Sequence, residues 1–298
     1  MIRIKVPATS ANLGSGFDSL GIALSLYNQV WMEEYDTVDI SSKDGVKIPK
    51  DKSNLIYWSA EYLYKECGKT LTGLKIIQEN NIPMTRGLGS SSACIVAGLI
   101  GANRFLGSPL SITELENLAL EIEGHPDNTT PALTGGLVTS AIDGGKIYSV
   151  TVPVASNIKF AVFIPPFELK TQLAREVLPE QYSKEDAIFN LSRSSLITAS
   201  LFSGKLQNLR VCVDDRLHQP YRKKFIKGFD DVFRTSYELG SYGTYLSGAG
   251  PSIVSIVDDK LAEVFKNNAL NSLKEKGVEN WKLLILDTDN KGARIIID

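Results

Sequence analysis

The chain has 298 residues, enough for one large domain or two, and 43% of them are hydrophobic, so it can bury a sizeable core. With 32 Lys and Arg against 34 Asp and Glu, the net charge is −2, and no overall field attracts the chain to nucleic acid or to a membrane. The N-terminus lacks the apolar core of a signal peptide and no apolar run has the length of a membrane span, so we expect a cytoplasmic protein that acts on small molecules.

The N-terminal segment alternates apolar and charged side chains, which predicts a strand over the first six residues. We expect a loop over residues 7–18, because Gly14 and Gly16 can take positive φ and allow a ligand to approach closely. Asn12 and Asp18 are therefore candidates for binding a polar substrate. A wide turn, in which these two side chains bond only to nearby backbone, is the alternative.

Secondary structure is predicted for most of the next ninety or so residues from hydrophobic periodicity. Residues 28–48 alternate loosely and predict strands, and residues 54–67 have the spacing of a helix that ends at Gly68. Residues 74–82 predict a strand, and residues 93–106 predict a helix. A glycine-rich loop must join these last two elements.

That loop consists of Arg86, Gly87, Leu88, Gly89, Ser90, Ser91 and Ser92. Backbone N–H groups at a helix N-terminus attract anions, so a loop of this kind is typical of phosphate binding. It is not a Walker A loop, because no Lys follows its glycines, and Ser92 replaces the third Gly of a dinucleotide-binding fingerprint. A turn that only caps the helix is the alternative.

A further helix is predicted after Ser111, which forms a capping box with Glu114. Two carboxylates lie in the last turn of this helix, where the helix dipole disfavours negative charge. Glu123 is at the edge of the apolar face and can lean inward, whereas we expect Glu121 to point to solvent. For either residue a solvated surface acid is the alternative.

We expect residues 124–136 to form a polar loop that binds a small ligand through His125, Asp127 or Asn128. A single His with no further His or Cys nearby does not suit a transition-metal site. Hydrogen bonding is therefore the role that we expect for His125.

The rest of the chain predicts the remaining elements of an α+β layer. They are a hairpin turn at 143–145, strands at 159–164, 283–286 and 293–297, and helices at 187–202 and 260–276. A second glycine-rich stretch, residues 245–257, can form a tight hairpin or a backbone wall against a ligand. Arg175 and Arg222 can each clamp a carboxylate or phosphate, although surface arginines are the alternative for each taken alone.

Four motifs occur in order along the chain: PATSANLGSGFD at 7–18, RGLGSSSA at 86–93, EGHPDN at 123–128 and LSGAGPS at 246–252. This series resembles the GHMP kinase superfamily over nearly the whole chain. Within that superfamily, SANLG, EGHPDN and DRLHQPYR at 215–222 are similar to the homoserine kinases.

The resemblance implies a two-domain α+β GHMP kinase fold. Residues 1–154 would form a ribosomal protein S5 domain 2-like domain and residues 155–298 a ferredoxin-like domain, with ATP and substrate between them. It also implies transfer of the γ-phosphoryl group of ATP to the side-chain hydroxyl of L-homoserine, on the route to threonine. Mg²⁺ and a homodimer are further implications.

The resemblance assigns roles to particular residues. Residues 86–92 match the ATP phosphate loop, Ser91 and Glu123 match the magnesium-holding groups, and residues 247–252 match a supporting third motif. The substrate-side matches are Asn12 and Asp18 for the amino group and hydroxyl region, His125 and Asn128 in the substrate loop, and Arg175 and Arg222 for the carboxylate. Departures at Ser15, Ser92 and Thr129–Thr130 put loop rigidity and affinity in question more than activity.

For the chemistry, Asn128, Arg175 and Asp127 are the catalytic candidates. Asp127 is the nearest loop carboxylate, but we hypothesise phosphoryl transfer without strong base catalysis, with Asn128 orienting the hydroxyl. The alternatives are a GHMP kinase for a mevalonate-like or sugar substrate, and a non-catalytic binding protein on the same fold. A non-catalytic descendant is expected to have lost Ser91 or Glu123, and both are present.

Overall fold

The computed structural model describes residues 1–154 and 157–296. The strands are β1 (Ile2–Ala11), β2 (Leu20–Glu34), β3 (Asp39–Ser42), β4 (Leu74–Glu79), β5 (Leu137–Asp143), β6 (Lys146–Val152), β7 (Ile158–Ile164), β8 (Gly243–Leu246), β9 (Ile253–Asp258), β10 (Lys282–Leu286) and β11 (Arg294–Ile296). The helices are α1 (Leu55–Glu66), α2 (Ser90–Phe105), α3 (Ile112–Glu123), α4 (Pro126–Thr134), α5 (Thr171–Glu176), α6 (Lys184–Ser203), α7 (Leu209–Cys212), α8 (Gln219–Arg222), α9 (Phe229–Glu238) and α10 (Ala262–Glu275).

The first sheet has the strand order β11-β1-β2-β4-β3, with β5 paired to β2 and β6 paired to β5. Helices α2 and α4 pack against β1 and β2, while α1 and α3 pack beside them. Gly98 permits the close approach of α2 to α1, because a Cβ there would lie 2.4 Å from the carbonyl oxygen of Ile56. The predicted hairpin turn is confirmed, since Asp143 pairs with Lys146 across two glycines with positive φ.

Strand β1 is longer than its sequence predicted. Residues 7–11 pair with β2, with Thr9 opposite Ala23, so the predicted loop from residue 7 was wrong. Every residue in 7–11 is buried, and burial on both faces removes the apolar and polar alternation that identifies a half-exposed strand. The true loop covers only residues 12–19.

Three helices also differ from the predictions, since α6 begins at Lys184, three residues earlier than expected. Helix α2 begins at Ser90, three residues earlier than expected. Serines are common both in loops and at the start of a helix, so residues 90–92 do not mark the boundary. Residues 126–134, predicted as loop, form α4, which begins with a proline in its first turn and ends at Gly135. The capping box of α3 is confirmed, with Ser111 and Glu114 bonded to each other's backbone N–H groups.

The second sheet has the order β10-β7-β9-β8. Together with α9 and α10, it follows the β-α-β-β-α-β succession of a ferredoxin-like unit, and α5 to α8 are inserted after β7. The expected α+β fold of two units is therefore confirmed.

The C-terminal strand returns to the first sheet, where β11 pairs with β1 and Ile295 lies opposite Ile4. The division at residues 154 and 155 stays a prediction, but it assigns β11 to the second unit, whereas hydrogen bonding joins it to the first. Residue 297, the predicted end of this strand, lies outside the described residues. Among the described residues, every helix is too short or too polar to span a bilayer.

Candidate active site

The structure brings the residues expected at the site into one pocket. Its lining includes Asn12, Asp18, residues 86–92, Glu123, His125, Asp127, Asn128, Arg175 and Arg222. These residues come from the loop after β1, the phosphate loop and the N-termini of α2 and α4, the C-terminus of α3, and helices α5 and α8. Only tertiary folding brings them together, because they are spread over more than two hundred positions of the chain.

The phosphate loop leads into the N-terminus of α2, which no side chain caps. Gly89 is the N-cap of α2, has a φ of 68°, and makes no side-chain capping bond. The first N–H groups of a helix have no intrahelical partner, so this end of α2 presents donors and a positive dipole end to the pocket. A loop that merely caps its own helix, the alternative interpretation, does not fit this geometry.

The second unit supports the phosphate loop directly. Ser247 Oγ donates a hydrogen bond of 2.6 Å to the carbonyl of Gly87, and the Ser252 N–H donates to that of Arg86. A Cβ on Gly87 would lie 2.3 Å from the carbonyl oxygen of Ser247, so only glycine permits this approach. The second glycine-rich stretch thus forms a hairpin, in which Leu246 pairs with Ile253, and its loop packs against the backbone of Gly87. A backbone wall against a ligand stays a prediction.

Glu123, the last residue of α3, leans toward the phosphate loop as expected. Its carboxylate accepts hydrogen bonds from Ser91 Oγ at 3.2 Å and from Ser92 Oγ at 3.1 Å. Glu121 instead accepts a bond from the exposed Tyr62 hydroxyl, away from the pocket. The result is a cluster of hydroxyl and carboxylate oxygens beside the N-terminus of α2.

His125, Asp127 and Asn128 form a hydrogen-bonded chain at the start of α4. His125 Nδ1 lies 2.8 Å from Asp127 Oδ1, and Asn128 Oδ1 accepts a bond of 2.8 Å from the hydroxyl of Thr9. Burial opposes protonation of His125, but the hydrogen bond and charge of Asp127 outweigh it, and the pKa of the imidazole lies above its ordinary value. Asp127 is itself buried, so its negative charge is strongly felt by the histidine.

Arg175 makes a bidentate ion pair with Asp18, with nitrogen to oxygen distances of 2.9 and 3.1 Å. Two residues predicted to bind opposite ends of a substrate therefore bind each other here. The side chains are 38% and 35% exposed, so a ligand can reach both partners.

Arg222 is buried and fixed by three acceptors. Its guanidinium donates to the carbonyls of Ala174 and Gly248 and to His218 Nδ1. Burial, followed by the positive charge of Arg175, lowers the pKa of Arg222 to about 10. Within the described residues its Nη2 makes no hydrogen bond, and this nitrogen is the group left for a ligand. Arg175 and Arg222 are therefore not two equivalent free clamps.

His218 is fully buried, and its Nε2 lies 2.8 Å from the carbonyl oxygen of Gly14. Because a carbonyl can only accept, Nε2 carries the proton and Nδ1 accepts from Arg222. Burial lowers the pKa of His218, with the charge of Arg222 acting in the same direction. The neutral imidazole thus connects the substrate loop to Arg222.

Asn12 and Gly14, which were also predicted for the site, make structural contacts within the protein. Asn12 donates to the carbonyl of Gly248 and accepts from the Asp18 N–H, so its amide holds the loop together. Gly14 has positive φ as expected, but Gly16 does not. A Cβ on Gly14 would meet the Val213 carbonyl oxygen at 2.0 Å, so this glycine admits the chain's own backbone and not a ligand.

Arg86 also differs from its expected role. Its guanidinium donates to the carbonyls of Pro165 and Pro166 and lies 3.5 Å from Glu168, so it joins the phosphate loop to the second unit. Its contact with a nucleotide stays a prediction.

Sequence reasoning missed two threonines. Thr9 holds Asn128, and Thr171 lines the pocket at the start of α5. Thr9 falls in the segment misassigned as loop, and no alternation marks it there because residues 7–11 are all buried. Thr171 lies four residues before Arg175, and the helical spacing of the pair is a usable signal.

The oxygen cluster at Glu123 suits a hard cation. Mg²⁺ takes oxygen ligands and is commonly held by one or two protein groups together with substrate phosphates. Within the described ranges no three His, Cys, Asp or Glu side chains group as a metal site of their own. The hydroxyl of Ser91 and the carboxylate of Glu123 therefore fit a cation that is shared with phosphates.

Comparison with known proteins decides the family. Residues 54–136 match the GHMP kinases N terminal domain and residues 197–275 the GHMP kinases C terminal domain. The chain is 45% identical to a homoserine kinase of Caldicellulosiruptor bescii, covering 99% of this chain and 97% of that protein. It is 46% identical to one of Clostridium beijerinckii, covering 99% of both.

The chain belongs to the homoserine kinase family of the GHMP kinases. A homoserine kinase structure from Cytophaga hutchinsonii superposes with a TM-score of 0.88 at 27% identity, covering 99% of this chain and 97% of that one. A putative homoserine kinase from Listeria monocytogenes gives 0.84 at 31% identity over the whole of both chains. The predicted family, fold and enzyme class, an ATP-dependent kinase, are confirmed.

We expect the two histidines of this homoserine kinase family member to titrate on opposite sides of their ordinary range. His125 should titrate above it and His218 below it, and Asp127→Asn should lower the first midpoint while leaving the second unchanged. Proton NMR of the imidazole signals, assigned with His125→Gln, measures both. Because the folded-state pKa of His125 is raised, its stabilising contribution is complete below the unfolded pKa and is lost as the pH rises through the folded pKa. Equal midpoints for the two rings would contradict the assignment.

Proposed function

We propose how the pocket performs the reaction of its family, the transfer of the γ-phosphoryl group of ATP to the side-chain hydroxyl of L-homoserine. The observation that carries the proposal is the Asp18–Arg175 ion pair, which lines the same pocket as the bare N-terminus of α2. The first feature suits an amino acid zwitterion and the second suits a phosphate. The product is O-phospho-L-homoserine.

The substrate would take its place by exchanging partners. The ammonium group of homoserine binds the carboxylate of Asp18, and its carboxylate binds Arg175 together with the free Nη2 of Arg222. Asp18 and Arg175 then each keep a partner of opposite charge, so little electrostatic stabilisation is lost when their ion pair opens. His125 and Asn128, on α4, border the same space and can orient the hydroxyl.

ATP would place its phosphates at the glycine-rich loop. The backbone N–H groups at the start of α2 meet the phosphate oxygens, and Ser91 with Glu123 would hold Mg²⁺. When bound, Mg²⁺ neutralises negative charge on the phosphates. The transition state spreads charge over the transferred group, so fixed donors at this helix end stabilise it without rearranging.

Asp127 has a positioning role in this proposal. Its Oδ1 already accepts from His125 and, at 3.4 Å, from Asn128, so the carboxylate is engaged before the substrate arrives. Phosphoryl transfer depends mainly on alignment and charge neutralisation, which does not require a strong base. Arg175 and Asn128 then contribute by aligning the acceptor hydroxyl.

The proposal includes a cytoplasmic homodimer, as the resemblance to homoserine kinases implies. No nucleic acid or membrane partner is expected, since the net charge of −2 provides no field for either.

The purified chain, supplied with ATP and Mg²⁺, should form ADP with L-homoserine and far less with mevalonate or galactose. Homoserine analogues that lack the amino group or the carboxylate should lose roughly 10-fold or more in kcat/KM, because a hydrogen bond to a charged group contributes about 1.5–3 kcal/mol. Arg175→Lys should raise KM for homoserine. Arg210 stacks on Tyr237 outside the pocket, so Arg210→Lys is the matched control and should leave KM unchanged. Absence of turnover with L-homoserine would overturn the proposal.

Glu123→Gln should lower kcat/KM for ATP by roughly 100-fold or more and raise the Mg²⁺ concentration needed for half-maximal rate, because a held cation stabilises several kcal/mol of transition-state charge. Glu121→Gln makes the same charge change two residues earlier in α3 and should leave both quantities near wild type. Steady-state kinetics across a Mg²⁺ series measure both variants. Equal effects would show that the Glu123 carboxylate does not act on the metal.

Asp127→Asn should lower turnover by less than about 100-fold, which is the smallest contribution usual for a general base. Its main effect should be on KM for homoserine, because His125 loses its charged partner. Initial rates at saturating substrate separate the two quantities. Turnover reduced by several orders of magnitude at unchanged affinity would instead identify Asp127 as the base.

A further inference from the structure

The outer face of α6 carries an apolar stripe that the described residues leave uncovered. Ile188, Leu191 and Phe202 are 54%, 69% and 74% exposed. The opposite face of the same helix is buried through Asn190 and Ile197, so the helix is already anchored on its inner side. A helix with apolar residues on both faces is normally covered on both.

The spacing of the stripe is that of a helix-packing seam. Residues 188, 191, 195 and 202 are separated by three, four and seven positions, as in a heptad pattern. Two helices with such seams pack at about 20°, with small residues permitting close approach. Ser195 and Ala199 supply those small residues at the middle of this 20-residue helix.

The apolar stripe of α6 is complementary to the same stripe on a second copy that runs in the opposite direction. In two antiparallel copies of α6 related by a two-fold axis at Ser195, Ile188 of one copy meets Phe202 of the other. Leu191 likewise meets Ala199, so a large side chain faces a small one. A surface that pairs with itself in this way is what a two-fold symmetric dimer requires.

The charges at the two ends agree with the same arrangement. Glu185 lies in the first turn of α6, and Lys205 follows its C-cap Gly204. The axis at Ser195 places Glu185 of one copy opposite Lys205 of the other. Antiparallel packing also sets the helix dipoles head to tail, which is favourable. Glu185 and Asp186 at one end do not fit a membrane-surface helix, whose polar flank is basic.

We propose that this face is the dimer interface and that a second copy of this chain covers it with its own α6, antiparallel about an axis at Ser195. The inference rests on the homodimer proposed above and is independent of the substrate. It also links assembly to the site, because Asn190 donates to the carbonyl of Ser15 in the substrate loop and to Asp215. Covering the outer face of α6 therefore steadies the element that holds this loop.

Sedimentation velocity tests the interface. The wild-type chain should have twice the mass of one 32.6 kDa chain, and Leu191→Arg should sediment as a monomer because it places a charge in the seam of both copies. Val264→Arg, at a 58% exposed position on α10, is the matched control and should remain dimeric. A monomeric wild type, or a Leu191→Arg variant that stays dimeric with unchanged affinity between copies, would overturn the proposal.

A second pair of variants tests the axis itself. Oxidation of Ser195→Cys should join two chains covalently, whereas Ser203→Cys should not, because its two copies lie about 24 Å apart along antiparallel helices. Non-reducing electrophoresis with the wild type as blank accounts for the natural cysteines. Linking of Ser203→Cys in preference to Ser195→Cys would rule out this axis. Phosphorylation of L-homoserine is assayed separately, so an active enzyme with no dimer disproves the interface alone.

Discussion

The close contact between the two glycine-rich loops is the constraint on which the rest of the site depends. Gly87 lies against the carbonyl oxygens of Ser247 and Gly250, at distances where no side chain fits. Ser247 also bonds to Ser10 at the end of β1, so one residue of the second unit holds two segments of the first. The bare N-terminus of α2 is therefore fixed relative to both units, and a fixed donor array stabilises charge without reorganisation.

Charge in the pocket is balanced before any ligand arrives. Asp18 and Arg175 neutralise each other, and the buried Arg222 is held by carbonyl groups and by a neutral histidine. Burying a cation without acceptors is costly, so these contacts explain how Arg222 can be nearly inaccessible and still charged. Its lowered pKa reflects the remaining desolvation and the nearby charge of Arg175. The pocket is thus prepared for a ligand that carries both signs of charge.

Much of the fold and the site could be predicted because local rules and motif order agree. The capping box at Ser111, the hairpin at Gly144–Gly145 and the strand after residue 158 each follow from a few neighbouring residues. The expected site residues, taken from the motifs together with Arg175 and Arg222, line one pocket. Two of the failures have a common cause. Strand β1 beyond residue 6 and helix α4 are buried on more than one side, and burial of that kind replaces periodicity with a uniform pattern.

The sequence by itself determined the family, the glycine-rich motifs and the identity of the charged residues, because these depend on residue types in a fixed order. Only the tertiary structure decided what each charge does. Arg86 joins the two units, Arg175 pairs with Asp18, and Arg222 is buried, although all three arginines look alike in the sequence. A guanidinium bonds to the carbonyl or carboxylate groups that come within reach, and packing between distant segments sets which groups those are.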